Sequence, residues 1–215
     1  MAAHWIAIVN PAAGHGRCRR HAEAELAALR EAGAELDVRT TEAPGHAGRL
    51  AEEAYRSGTS DFLAVGGDGT CFEVLNGLAG RTEPGRRVRI ATLPLGTGNS
   101  FLRDYGIVDA KGAAKALLAD ARRPVDVVRC EHGDGVLFYL NIAGLGFAAR
   151  AGAMTNRRFK SFGKQGYILA VVGCVARMRT PSFPLRLDGG EPDERPCSML
   201  SFCNSRFTGG NMMMA

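Results

Sequence analysis

Asp68 is the side chain of this chain best placed to do chemistry. It lies within Val65-Gly66-Gly67-Asp68-Gly69-Thr70, behind the apolar run 62–65 and ahead of residues 71–78, where Phe72, Leu75 and Leu78 recur at helical spacing. Glycines on a strand-to-helix turn let backbone approach a bulky anion, because no Cβ intervenes. The helix start behind them would turn free N–H groups and a partial positive charge toward that anion. A carboxylate in such a place repels bare phosphate, so Asp68 points to a metal ion or to a hydroxyl that must lose its proton. A tight turn closed by a helix-capping Asp accounts for the same residues, and this motif alone leaves the two readings even.

Two more turns of the same kind accompany it. Asn10-Pro-Ala-Ala-Gly-His-Gly16 follows the apolar run 5–9, and Leu93-Pro-Leu-Gly-Thr-Gly-Asn99 ends the run 88–93. In a chain that alternates strands and helices, such turns gather at the carboxyl edge of one parallel sheet, where ligands bind. Three together are far more specific than one. Neither the Walker nor the Rossmann pattern is present, since no Gly-Lys-Ser/Thr follows the glycines.

The elements that must position these turns are legible around them. Residues 4–9 read as a buried strand, 17–32 as an amphipathic helix with Ala22, Leu26 and Leu29 on one side, and 36–41 as a second strand. A turn at Pro44-Gly45 leads into a helix over 46–56. The strand and helix around Asp68 follow, then a strand over 88–93, a short segment 100–105 and a helix over 110–120. Residues 1–123 are therefore expected to form a three-layer α/β domain. At Arg122-Arg123-Pro124 the pattern changes to short alternating runs at 125–130, 137–143, 183–187 and 198–204, with a hairpin signal at Gly133-Asp-Gly135. Residues 124–215 are expected to form an antiparallel β domain, a sandwich with a helical insert over about 147–178, and it looks incomplete at its C-terminus because so few strands leave edges exposed.

Composition bounds the function. The 215 residues carry a net charge of +5, and their apolar content is that of a globular chain. Six scattered cysteines with no Cys-x-x-Cys pair read as reduced core thiols, not as a metal site or disulfide framework. The longest apolar run, 167–176, is interrupted by Gly173 and too short to span a bilayer, and no secretory signal pattern opens the chain. Between Asp134 and Asp188 there are eight basic residues and no acidic one. That is an ordinary solvated face or a surface for phosphate on nucleotide or lipid headgroups. Nucleic acid is not an expected partner.

Taken together and in order, Asn10-Pro11, Gly66-Gly-Asp-Gly-Thr70 with Glu73 and Asn76-Gly77, Leu93-Pro-Leu-Gly-Thr-Gly-Asn99, Asn141-Ile-Ala-Gly-Leu-Gly-Phe147, and Asn204-Ser205 with Gly209-Gly210 resemble the diacylglycerol kinase catalytic-domain family, which includes bacterial lipid kinases and sphingosine and ceramide kinases. The resemblance implies an NAD-kinase-like nucleotide fold, phosphoryl transfer from ATP to a lipid hydroxyl, and a requirement for Mg²⁺. It implies that Asn10 holds nucleotide, that Thr41 lies near ribose or adenine, and that Gly66, Gly67, Gly69, Thr70, Gly96, Thr97, Gly98 and Asn99 surround the phosphates. Asp68 would be the charged centre, as base on the lipid hydroxyl or through water to Mg²⁺. Asp126 would join it in the metal network, Glu73 would contact nucleotide, and Arg158 and Lys160 would bind phosphate. Plainer readings stand beside these: Glu73 as a solvated helix residue, Thr41 as a strand-end polar group, and Asp126 facing water. The five histidines show no metal-ligand spacing and no catalytic role.

Three departures from the family pattern stand out. Ser100 occupies a position where many bacterial members carry Asp, and Gly166 a position where sphingosine kinases carry a second phosphate-binding Arg. The family's later Asp-Asp-Gly stretch and catalytic carboxylate would fall beyond Ala215. Residues 147–160 contain no acid to pair with a sphingosine ammonium, so a neutral lipid such as diacylglycerol is the expected substrate. The expected setting is a cytoplasmic protein working at the inner face of the membrane, with ATP and lipid as partners and a homodimer allowed. An NAD kinase-like enzyme and a non-catalytic lipid- or nucleotide-binding module are the alternatives.

Overall fold

Two strands buried in all but their first residues, β1 (His4–Val9) and β3 (Asp61–Gly66), form the centre of the fold in a computed structural model that describes residues 4–147, 149, 180–209 and 212–215. Their apolar runs are continuous because both faces are covered, as a parallel sheet with helices on both sides requires. β2 (Glu35–Thr40) and β4 (Arg89–Pro94) flank them in the order β2-β1-β3-β4, all parallel.

Side-chain alternation divides the core in two. Trp5, Ala7, Val9, Leu63 and Val65 face α1 (Arg17–Glu31) and α4 (Ala110–Leu118), packing on Cys18, Ala22, Leu26, Leu29 and Ala113. Ile6, Ile8, Phe62 and Ala64 face α2 (His46–Arg56) and α3 (Asp68–Leu78), packing on Ala47, Ala51, Tyr55, Val74 and Leu78. The strand order reverses between β1 and β3, so the crevice outside their carboxyl ends is the ligand position of a doubly wound sheet. The opposite edge is closed by Arg89, which pairs with Asp61 on the neighbouring strand and lies 5.0 Å over the Trp5 ring.

The sequence expectation of an α/β domain with alternating strands and helices is met, with one informative difference. α3 begins at Asp68, three residues before its apolar periodicity starts. The Gly67 carbonyl accepts from Thr70 N–H at 2.9 Å and Cys71 N–H at 3.2 Å, so Asp-Gly-Thr is the first helical turn and not a loop ahead of it. The α2–α3 contact depends on paired glycines: a Cβ on Gly77 would stand 2.1 Å from the Gly48 carbonyl oxygen.

Beyond α4 the chain forms antiparallel pairs. β5 (Val128–His132) and β6 (Gly135–Tyr139) make the expected hairpin. β7 (Ile142–Gly146) pairs with β8 (Met199–Cys203), and β9 (Phe207–Thr208) with β10 (Met212–Met213). The run 137–143 is not one strand but the end of β6 and the start of β7. It breaks at Asn141, whose carbonyl accepts from the N–H groups of Asn204 and Ser205. Residues 183–187 form a single isolated bridge, Leu185 with Asp193, beside that of Ser182 with Pro196, because Pro184 offers no N–H to a ladder. Met1–Asn141 and Asn204–Ala215 form one compact unit and Ile142–Cys203 a second. The expected helical insert lies almost entirely outside the described residues. No helix among the described residues is long and apolar enough to cross a membrane.

Candidate functional site

The register brings the three glycine turns level. Val9 lies opposite Thr40 on one side and Val65 on the other, and Gly66 lies opposite Pro94. Asn10, Thr41, Gly67 and Leu95 therefore leave the sheet at one edge. Hydrogen bonds then knit the turns together. Asn10 N–H donates to the Val65 carbonyl at 2.9 Å, Thr41 N–H to the Val9 carbonyl at 2.8 Å, and Leu95 and Gly96 N–H both donate to the Gly66 carbonyl at 2.6 and 2.8 Å. The Asn10 side chain spans two turns: Nδ2 donates to Thr70 Oγ1 at 3.2 Å, and Oδ1 accepts from Ala12 N–H at 3.1 Å.

Most of the glycines are required by this loop-on-loop packing. A Cβ on Gly96 would stand 2.4 Å from Gly67 Cα, one on Gly14 2.5 Å from the Leu95 carbonyl oxygen, and one on Gly66 2.3 Å from Thr70 Oγ1. Gly69 differs, since nothing lies within 4 Å of the place its Cβ would take. In the first turn of α3, it is the glycine whose open side leaves room for a ligand on free helix N–H groups.

Asp68 sits beside Gly69 and already has a structural partner. Its Oδ2 accepts from Ser100 N–H at 2.8 Å and its Oδ1 from Phe101 N–H at 3.3 Å. The carboxylate thus caps the 3-10 turn Phe101–Tyr105 from across the site. Each oxygen keeps a further lone pair, so the arrangement orients the charge without consuming it.

Two buried polar atoms near this turn have no hydrogen-bond partner, Asn99 Oδ1 and Arg103 Nε. Asn99 adopts a left-handed backbone, φ 51°, and its Nδ2 donates to the Gly96 carbonyl at 2.9 Å and the Pro94 carbonyl at 3.3 Å. That pairing fixes the amide and turns Oδ1 toward Gly67 and Gly96 as an acceptor in want of a donor. Arg103 supplies the reverse, a cationic donor with no ion pair among the described residues. Sequence reasoning passed over Arg103; its one signal was a lone base directly behind the Leu-Pro-Leu-Gly-Thr-Gly-Asn turn.

The other expected site residues are placed as follows. Thr97 is exposed and Gly98 half-buried, both on the open side of the turn, whereas Thr70 is buried with its hydroxyl taken by Asn10. Thr41 is buried at the end of β2. Glu73 is not a solvated helix residue: its Oε2 accepts from Ala47 N–H at 3.2 Å and caps α2. Asp126 is exposed ahead of β5, and its carbonyl accepts from Asn204 Nδ2 at 2.9 Å. Arg158 and Lys160 lie outside the described residues. No three His, Cys, Asp or Glu side chains among the described residues gather as a metal site. Cys71, below the site, is no nucleophile at neutral pH, because burial pushes its thiol up to about 11.

Comparison with known proteins gives a consistent family. The family model described as "Diacylglycerol kinase catalytic domain" matches residues 4–130. A Pseudomonas aeruginosa protein described as "Probable lipid kinase YegS-like" is 43% identical over 159 residues, covering 72% of this chain and 50% of that protein. A Mycobacterium tuberculosis protein described as "Diacylglycerol kinase" is 28% identical over 212 residues, covering 97% of this chain and 67% of its own length. A crystal structure of a diacylglycerol kinase from Bacillus anthracis str. Sterne superposes with a TM-score of 0.69 at 30% identity, covering 96% of this chain and 66% of that one. The chain thus spans from about half to two thirds of the length of the relatives it matches.

Proposed function

This chain belongs to the diacylglycerol kinase catalytic domain family, and from that premise we propose that it is an ATP-dependent lipid kinase whose acceptor is diacylglycerol or a related neutral lipid. The observation that carries the proposal is the open first turn of α3, where Gly69 leaves ligand space one residue after Asp68, whose carboxylate is oriented by Ser100 and Phe101 N–H. These residues fit ATP with Mg²⁺. Helix N–H groups suit phosphate oxygens, and Asn99 Oδ1 suits the hydrogen of a metal-bound water. When bound, Mg²⁺ would neutralise phosphate charge, held by Asp68 and waters, with Asp126 as the second carboxylate proposed from family likeness.

The chemistry asked of the chain is mainly positioning and electrostatics. Asp68 stands ready to accept the proton of the lipid hydroxyl or to hold the metal through water. As the hydroxyl oxygen bonds to the γ-phosphorus, the bond to the β-bridging oxygen breaks and ADP leaves. Arg103 offers its guanidinium to the charge that moves onto the departing phosphates, a task that Arg158 and Lys160 would share. We place the lipid on the antiparallel part of the chain, residues 124–215, as a sandwich-type substrate domain. We place the enzyme at the cytoplasmic face of a membrane, where the basic stretch between Asp134 and Asp188 would meet anionic headgroups.

The open space at Gly69 gives a test that separates ligand from fold. Gly69→Ala adds a methyl group where the protein has room, in a helical turn where Ala is favoured over Gly by up to about 1 kcal/mol. The variant is expected to melt no lower than the parent, yet to bind ATP about tenfold more weakly because the methyl occupies phosphate space. Calorimetric titration alongside thermal unfolding checks both halves. Unchanged ATP affinity would take the phosphates off this turn.

A further inference from the structure

Asp104 and Arg206 are 102 positions apart, yet they close the far end of the turn that Asp68 caps. The Asp104 carboxylate accepts from Arg206 N–H at 3.1 Å and from Arg206 Nε at 3.0 Å. Its side chain is 14% exposed. The Arg206 segment is itself anchored. Asn204 Nδ2 donates to the Asp126 and Leu140 carbonyls at 2.9 and 3.0 Å, and Asn204 and Ser205 N–H donate to the Asn141 carbonyl at 2.9 and 3.1 Å. The guanidinium also lies 5.7 Å from the centroid of the Phe207 ring.

Between these anchors the turn rests on the core through Leu102, and Phe101 packs edge-on against Tyr105 with ring centroids 5.4 Å apart. Its own backbone bonds include Arg103 N–H to the Ser100 carbonyl at 3.2 Å and Gly106 N–H to the Arg103 carbonyl at 3.0 Å. Short 3-10 segments have poor hydrogen-bond geometry, so their position is set at the ends. The first end holds the Asp68 carboxylate by two N–H groups, and the last end is held by Arg206. We propose that Arg206 is a positioning residue for Asp68: by chelating Asp104 it fixes the 3-10 turn whose first two N–H groups orient the Asp68 carboxylate. The inference rests on the reading of Asp68 as the charged centre of a kinase. It gives the segment behind Asn204-Ser205, a pair the sequence offered only as a family signature, a physical task in the reaction.

The test compares Arg206→Ala, Arg206→Lys and Asp68→Ala with the parent chain by two readouts. The first is amide hydrogen exchange at Ser100 and Phe101, with Ile8 and Leu63 as core controls. The second is phosphoryl transfer from ATP·Mg²⁺ to diacylglycerol, resolved into kcat and KM for ATP. Arg206→Ala is expected to speed exchange at Ser100 and Phe101 about tenfold with the core amides unchanged, the loss of one charge-assisted contact at a partly exposed site. It should lower kcat about tenfold with KM for ATP held, because the loss is of orientation and not of binding. Arg206→Lys keeps the charge and should recover part of both effects. Unchanged exchange at Ser100 and Phe101 in folded Arg206→Ala overturns the proposal. So does faster exchange with full kcat, provided Asp68→Ala is inactive. If Asp68→Ala keeps full turnover, or if neither the parent chain nor a C-terminally extended version transfers phosphate although both bind ATP, the kinase reading of Asp68 fails and the positioning role falls with it.

Discussion

Asp68→Asn is expected to lower phosphoryl transfer about 10³-fold while ATP affinity changes only a few-fold. The substitution is chosen because Asp68 does two things at once. Its carboxylate accepts from Ser100 and Phe101 N–H, and in the proposed reading its charge serves the ligand at the open turn of Gly69. Asn keeps an acceptor for Ser100 but removes the charge. Asp68→Ala removes both, leaving two N–H groups of the 3-10 turn without their partner, and should cost a further 1–3 kcal/mol or so of stability. Side-by-side kinetics and denaturant unfolding separate the roles. If Asp68→Asn retained most of the parent's turnover, Asp68 would be a capping residue and nothing more.

Gly77→Ala is expected to destabilise the fold by about 3 kcal/mol, although Ala is the better helix former. A Cβ there would stand 2.1 Å from the Gly48 carbonyl oxygen and 2.7 Å from Gly48 Cα. Both neighbours are backbone, so no side chain can swing aside and α2 must move off α3. That movement would also pull Glu73 from the N-terminus of α2, where it caps Ala47, and disturb Asn76, which exchanges hydrogen bonds of 2.8 Å with the backbone of Phe138. Denaturant unfolding reads the loss directly, and an unchanged midpoint would show that the α2–α3 contact yields more easily than its geometry implies. Gly69→Ala, eight positions earlier on the same helix, carries the opposite expectation. The same residue type in one motif thus serves ligand space at one site and helix packing at another.

The α/β half was legible because its determinants are local. The continuous apolar runs of β1 and β3, the periodicity of α1 and α2, and glycine at the turns each sit within a few residues of the feature they encode. The start of α3 was misplaced because Gly67-Asp68-Gly69 has the composition of a loop, while helix geometry there is fixed by the Gly67 carbonyl. The purpose of the glycines was half legible. Sequence alone assigned them to an approaching anion, but Gly14 and Gly96 are demanded by neighbouring loops that only the fold brings close, and Gly66 by the Thr70 side chain of α3. The same limit hid the Glu73 cap on α2 and the Asp104–Arg206 pair, whose partners are remote in sequence. In the antiparallel half, short runs with Pro184 and Asn141 inside them carried too little periodic signal to fix strand ends.

The family relation and the candidate site support each other without being the same argument. Likeness to diacylglycerol kinases comes from matched residues over most of the chain, whereas the site stands on an oriented carboxylate, an open helix turn and two buried polar atoms without partners. A nucleotide-binding module without transfer would share the open turn but would not need Asp68 to carry charge.

The decisive experiment follows labelled γ-phosphate from ATP·Mg²⁺, using this chain and a C-terminally extended version, with diacylglycerol, sphingosine and NAD offered as competing acceptors. The account predicts labelled phosphatidic acid from diacylglycerol, little product from sphingosine, none from NAD, and loss of the signal in Asp68→Asn. Binding of ATP with no labelled acceptor from either form, or label appearing on NAD alone, would overturn it.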